Sequence, residues 1–436
     1  MKKQIRLNRV SVHLAIVLTI LAALGLACCS GPAAVETVVK AEKVRSEKPR
    51  LPADPSAADF VAALVASNTE FALDLYGALF KEDENLFLSP HSLGVALVMT
   101  YAGARGETER QMAEALHFDL PQGELHGAFN ALDQALASRG QDEPQAAQLR
   151  GVNALWGQEG GTFLAPFLDT LAENYGAGIN LVDFRQAEAA REQINNWGSE
   201  QTESRIDELL PAGALDSATA LVLTNAAHFE AAWLVKFAED ATHDAAFALA
   251  DGGQVTVPTM EQVANLGYAE LPGMQVVELP YAGGELSMVI LLPDEGNFEA
   301  FAQGLDAGQL ASLLNELAPT NLRLALPRFR YEAGFELRNT LTDLGMVDAF
   351  DDQADFSGID GSHELFVEQV YHQAFVEVDE AGTEATAASA VTMARKGALQ
   401  AEQEMRVERP FLFVIRDIET NAILFIGHVV NPLGPA

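Results

Sequence analysis

The stretch YHQAFVEVDEAGTEATAASAVTMARKG, Tyr371 to Gly397, decides how this chain is read. Its first part, Ala374 to Val378, alternates as a strand does: Phe375 and Glu377 share one face, and Ala374, Val376 and Val378 the other. Asp379-Glu380-Ala381-Gly382 then supplies turn residues. Beyond it, Thr383 to Val391 has no Gly, Pro, Lys or Arg, and its one charge is Glu384. At period two, Thr383, Ala385, Ala387, Ser389 and Val391 line a small, uncharged face, and Glu384, Thr386, Ala388 and Ala390 the opposite one. Such a segment suits both an exposed loop and a strand buried tightly inside a sheet. An Ala-rich helix competes with both, because Ala is the best helix former. The stretch closes on the basic pair Arg395-Lys396 and Gly397.

The chain has 436 residues, enough for a large core, and nothing in its interior reads as a linker. Its net charge is -35. Residues 1–50 hold nine Lys/Arg against three Glu, whereas the remainder holds 18 basic against 59 acidic residues. So acidic a body repels nucleic acid and anionic membranes, and no nucleic-acid partner is expected. The two cysteines, Cys28 and Cys29, are adjacent and near the start, which leaves the body without a disulfide framework. No nucleophile elbow, zinc-binding helix motif or dinucleotide loop is present, so an enzyme, a metal site and a cofactor are not expected.

Lys2, Lys3, Arg6 and Arg9 precede an almost wholly apolar run, Leu14 to Ala27, too short for a comfortable membrane span. This is a secretory signal pattern, assigned to residues 1–29. It ends in LGLACCSG, which resembles the lipobox of bacterial lipoproteins. Cys29 is the favoured lipidation site and Cys28 the alternative; an ordinary cleaved signal peptide is the competing reading. Residues 30–55 mix Gly, Pro, Glu and Lys and read as a flexible tether. The protein is therefore expected to be exported, either held at a membrane by its lipid or secreted.

The folded body is expected over 56–436. Phe60, Leu64, Phe71 and Leu75 recur at helical spacing, which predicts a helix over 56–80. Asn85 to Leu88 predicts a short strand, and Ser89-Pro90 the cap and first turn of a second helix. Gly103 to Gly106 predicts a turn, and Thr108 with Gln111 a capping box.

EVDEAGTEATAASA resembles the hinge of the reactive-centre loop of the serpins, a family of serine protease inhibitors. NLFLSPHSLGVALVMTYAGARGETERQMAEALHF, Asn85 to Phe118, is similar to a second serpin segment. So are INNWGSEQTESRI (Ile194 to Ile206), TNAAHFEAAWLVKF (Thr224 to Phe237), LPRFRYEAGFELRNTLTDLGMVDAF (Leu326 to Phe350) and RPFLFVIRDIETNAILFIGHVVNP (Arg409 to Pro432). The resemblance covers residues 56–434 and implies an α+β fold: one large domain with a main mixed β-sheet, further β-sheets, about eight or nine helices and an exposed reactive-centre loop.

The resemblance also implies roles. Glu380, Gly382, Thr383, Glu384, Ala385, Thr386, Ala387, Ala388 and Ser389 form the loop hinge. Ser89, Ser92, Asn225 and His372 form a polar cluster, the shutter, below the place where the sheet opens. Trp233 sits at the top of the sheet. Counting sixteen residues from Glu380 puts the scissile bond at Lys396-Gly397, with Arg395 the alternative, and a basic residue there implies a trypsin-like target. The implied function is suicide inhibition: the protease forms its acyl-enzyme, the cut loop inserts as a strand, and deacylation stalls. Loop insertion of this kind is a known property of the family and one form of strand addition to a sheet. The partner is a target serine protease, the inhibitor a monomer. The alternative is a non-inhibitory serpin acting as a surface-binding or chaperone protein. Heparin-type activation is not expected, because Pro121 to Gly140 has Arg139 as its only basic residue.

Overall fold

In a computed structural model of the chain, the described residues are 42–140, 148–383 and 401–434. Strand β1 (Glu42–Val44) comes first, followed by α1 (Ala58–Leu79), β2 (Leu86–Leu88), α2 (Pro90–Tyr101), α3 (Gly106–Ala115) and α4 (Gln122–Ser138). Next are β3 (Gln148–Gln158), α5 (Ala165–Tyr175), β4 (Ile179–Val182), α6 (Ala187–Gln201) and β5 (Leu221–Ala232). Strands β6 (His243–Ala248), β7 (Gln254–Leu271), β8 (Met274–Pro280) and β9 (Leu286–Pro293) lead to α7 (Phe298–Gly304) and α8 (Ala307–Asn315). Then come β10 (Ala318–Pro327), β11 (Phe329–Glu336), α9 (Arg338–Asp343), α10 (Ser357–Asp360) and β12 (Gln369–Val378). Strands β13 (Gly382–Thr383), β14 (Gln403–Arg406), β15 (Phe411–Asp417) and β16 (Ile423–Val429) complete the order. The α+β class holds, with ten α-helices among the described residues; α9 and α10 are too short to show a period in sequence.

Two sheets make the frame. The first runs β1-β4-β3-β5-β13-β12-β11 and is mixed, with β3–β4 and β5–β12 parallel. The second runs β14-β10-β7-β8-β9-β15-β16-β2, with β6 on β7. Helix α2 packs on β3 and β5 of the first sheet and β16 of the second. Eleven of its twelve residues are buried, so it is a central helix with no solvent stripe. Ser89 caps it, its Oγ accepting from Ser92 N at 3.3 Å, with Pro90 in the first turn where no donor is lost. On the other face of the first sheet, Ala190 and Ile194 of α6 pack with Trp156 and Val222 in a smaller core.

The helix predicted over 56–80 is α1, with Phe60 exposed in its first turn and Leu64, Phe71 and Leu75 buried. Two local expectations change. Thr108 does not cap α3, which starts two residues earlier at Gly106. Thr108 Oγ1 instead accepts from Asp355 N at 2.9 Å, and Gln111 Oε1 from Asp348 N at 2.8 Å, tying α3 to the 348–356 segment. Finally, the chain is not a free tether up to Pro55. From Glu42 it is docked, with β1 antiparallel to β4 and Arg50 bound to α4.

Candidate functional site

The first sheet is closed at its lower part and parted at its top. Strands β5 and β12 pair directly from Val222–Gln369 to His228–Phe375. Above that register the two strands separate, and β13 lies between them. Val378 faces Thr383 on one side, and Ala231 and Ala232 face Thr383 and Gly382 on the other. The polypeptide gets there by a tight reversal after β12. Asp379 Oδ1 accepts from Ala381 N at 2.7 Å and Gly382 N at 3.1 Å, an Asx turn, and Asp379 N donates to Gly382 O at 3.0 Å.

Gly382 is needed at this point for space, not for torsional freedom. Its φ is outside the left-handed region, but a Cβ there would lie 1.9 Å from Ala231 O and 2.7 Å from the Ala232 Cα. Thr383 is buried, with its Oγ1 2.8 Å from Tyr281 Oη. Burial pushes the pKa of the Tyr281 phenol up, so the hydroxyl stays protonated, and either oxygen can donate in that contact. Trp233 closes the top. Its ring stacks on Tyr281 at 4.6 Å, its Nε1 donates to Asp379 O at 2.9 Å, and its backbone N donates to Ala381 O at 2.9 Å.

Glu380 is held beside this slot. Arg328 Nε donates to its Oε1 at 2.9 Å, and Arg328 Nη2 and Thr242 Oγ1 donate to the same oxygen. Burial opposes ionisation of this carboxyl, but the guanidinium and hydroxyl outweigh it and hold its pKa below the usual range. Phe237 N donates to Glu380 O at 3.1 Å. The turn is thus held by three hydrogen bonds from the 233–237 segment.

Below the slot, Ser89, Ser92, Asn225 and His372 form one buried network. Ser89 N donates to His372 Nε2 at 3.1 Å, which leaves that nitrogen without a proton; Nδ1 therefore carries it toward Asn225 Oδ1. Asn225 Nδ2 donates to Ser92 Oγ at 2.6 Å and to Asn153 Oδ1. Ser89 Oγ donates to Leu424 O at 2.8 Å. The network joins α2, β3, β5, β12 and the second sheet where β5 and β12 are still paired. Burial lowers the His372 pKa to about 3, so the ring is neutral at ordinary pH.

Asn153, Tyr281, Arg328 and Thr242 carry no mark in the sequence that sets them apart as site residues. Arg328 stands within a serpin-like segment, but nothing local makes it or Tyr281 a partner of Glu380 or Thr383. Glu384, Ala385, Thr386, Ala387, Ala388, Ser389, Arg395, Lys396, Gly397, Cys28 and Cys29 lie outside the described residues. Among the described residues, no group of three or more His, Cys, Asp or Glu side chains is placed to hold a metal ion.

A family model described as Serpin (serine protease inhibitor) matches residues 66–432. The chain belongs to the serpin family. It is 42% identical over 381 residues to the leukocyte elastase inhibitor of Sus scrofa, covering 85% of this chain and 99% of that protein. An uncharacterized serpin-like protein of Thermococcus kodakarensis is 40% identical over 373 residues, covering 85% of this chain and 86% of the relative. The fold is similar to the native state of the thermophilic serpin tengpin, with a TM-score of 0.78 and 29% identity over 90% of this chain and 100% of that one. It is also similar to uncleaved ovalbumin, with a TM-score of 0.78 and 30% identity over 85% of this chain and 100% of that one.

Proposed function

We propose that this chain is an inhibitory serpin that traps a trypsin-like serine protease as its acyl-enzyme. The observation that carries this is the seating of Gly382-Thr383 between β5 and β12. The start of the bait segment already occupies the place where an added strand would run, and the residues that follow in sequence are small. Thr383 is the first side chain of the small, uncharged face, and it is buried. After cleavage at Lys396-Gly397, or next to Arg395, strand addition continues downward from Thr383 toward the His372–Asn225 network. There the β5–β12 pairs must open and their hydrogen bonds re-form with the incoming strand. Each added backbone bond contributes roughly 0.5–1.5 kcal/mol net, so some ten residues supply on the order of 10 kcal/mol before ordering costs. Conversion is then held back by a kinetic barrier.

The relatives named above include leukocyte elastase inhibitors. The trypsin-like preference rests instead on the basic pair Arg395-Lys396. Incubating the protein with trypsin-, elastase- and subtilisin-like proteases tests both points. A covalent SDS-stable complex with a trypsin-like enzyme, and a released peptide beginning at Gly397, are expected. A stable complex formed solely with the elastase-like enzyme would reject the assignment of Lys396.

The second reading, a non-inhibitory surface-binding or chaperone serpin, predicts no stable complex and no large gain in thermal stability when the loop is cut. The small residues from Thr383 onward speak against it. The remaining proposals are export behind residues 1–29, lipidation at Cys29 or Cys28, and a monomer. Polyanion activation is not proposed, since Arg139 is engaged by Asp417 at 2.7 Å and Glu419 at 2.8 Å.

A further inference from the structure

Residues 42–53 lie outside the region matched by the family model, yet they are bound along their length to three elements of the body. Glu42, Lys43 and Val44 pair with Leu181, Asn180 and Ile179 at the edge of the first sheet. Ser46 Oγ donates to Asp169 Oδ1 at 2.6 Å, and Lys48 Nζ lies 3.0 Å from Asp169 and 2.9 Å from Glu173, both on α5. Leu51 N donates to Glu173 O at 2.7 Å. On α4, two side-chain amides one turn apart read the strap's backbone. Asn130 Nδ2 and Gln134 Nε2 both donate to Leu51 O, at 3.0 and 2.9 Å, and Gln134 Oε1 accepts from Ala53 N at 3.2 Å. Arg50 donates to Asn130 Oδ1 at 2.8 Å and Asp133 Oδ2 at 2.6 Å.

The body is shaped for this segment. Asn130 is 3% exposed, and its side chain bonds to Arg50, Leu51 and Gln134, so two of its three partners belong to the strap. A Cβ on Gly178 would lie 2.5 Å from Val44 O and 2.7 Å from the Arg45 Cβ, although Gly178 itself has no left-handed φ. That position is kept bare for the strap and not for a turn. Edge pairing and the amide ladder recognise any extended backbone. Selectivity comes from the acidic walls Asp169, Glu173 and Asp133, which face cations two residues apart at Lys48 and Arg50. Leu51 is 47% exposed, so the attachments are mainly polar and ionic.

We propose that the groove between the β4 edge, α5 and α4 is a binding site for extended peptides carrying two cations two residues apart, filled here by the chain's own residues 42–53 as an intramolecular ligand. Tethering gives that ligand a high effective concentration, so it excludes the same peptide in trans until its own cations are removed. Salt loosens it, because the ion pairs are partly exposed.

Hydrogen exchange on the full-length chain tests the docking, and peptide uptake tests the site. Amides of 44–53 are protected in the wild type and exchange at least about tenfold faster in Lys48→Ala/Arg50→Ala. That full-length variant then binds a fluorescent peptide of residues 42–53 saturably. Adding Gly178→Val, or raising salt from about 0.05 to about 0.5 M, weakens binding about tenfold or more. Unchanged protection of β9 shows that each variant is folded. Unprotected wild-type strap amides overturn the docking, and a strap still protected in the double variant overturns the role of its cations. A freed strap without peptide uptake, or uptake indifferent to Gly178→Val, overturns the site.

Discussion

Arg328 and Glu380, 52 residues apart in sequence, meet at the mouth of the sheet, with the guanidinium Nε 2.9 Å from the carboxylate Oε1. The pair is asymmetric, since the Glu380 side chain is 8% exposed and that of Arg328 44%. Arg328→Ala leaves a buried carboxylate poorly paired and is expected to cost about 1–3 kcal/mol. Glu380→Ala leaves a cation that water can reach and is expected to cost less. A double-mutant cycle in urea unfolding checks this, with the Arg328 variant the less stable of the two.

Gly382→Val is expected to drive β13 out of the sheet, because the new side chain would run into Ala231 O. The contact of Thr383 with Tyr281 and that of Trp233 with Asp379 O go with it. The expected outcome is faster hydrogen exchange at 382–383 and a changed Trp233 emission, with β9 unaffected. Unchanged exchange at 382–383 contradicts the seating of the hinge.

Thr383→Arg puts a charge on the buried side of the same short strand. Burying an unpaired guanidinium costs several kcal/mol, so strand addition slows relative to deacylation. The variant is expected to be cut as a substrate, with fewer SDS-stable complexes per molecule consumed. A wild-type ratio of complex to cleaved protein contradicts the insertion path.

His372 makes a pH prediction of definite sign. Its pKa falls from an ordinary 6.5 to about 3 in the folded protein, because burial disfavours the charged ring. The unfolded chain therefore binds more protons between those values. The stability tied to neutral His372 is complete above about pH 6.5 and is lost as pH falls toward about 3. His126 and His428, each lowered to about 4 chiefly by burial, act in the same direction. Melting temperature is expected to fall across this window, and His372→Gln to flatten the slope. An equal slope in the variant contradicts the assignment.

The polar cluster shows both the reach and the limit of the sequence. Ser89, Ser92, Asn225 and His372 come from three separate segments and are joined in sequence only by resemblance, and they do meet in one hydrogen-bonded network. Asn153 completes it from β3, but an asparagine in a strand has no local signature of such a role. The strap escapes a sequence reading for a related reason. Residues 42–53 are charged and Pro-containing, which alone describes a tether, and their partners are on α4, α5 and β4, about eighty to 140 residues downstream.

What the order of residues determined by itself is everything that depends on local pattern: the helix over 56–80, the helix cap at Ser89, the turn at Asp379, and a segment from Thr383 with one face of small side chains, whereas the α+β class was reached through resemblance to a family. These follow from backbone sterics, periodicity and short-range hydrogen bonds. The tertiary structure alone decided where the chain is clasped. Gly382 is required by the nearness of Ala231, Glu380 stays ionised because Arg328 reaches it, and the strap docks because Gly178 leaves room for Val44. Each depends on the close approach of groups far apart along the chain, and that distance is set only when the sheets have packed.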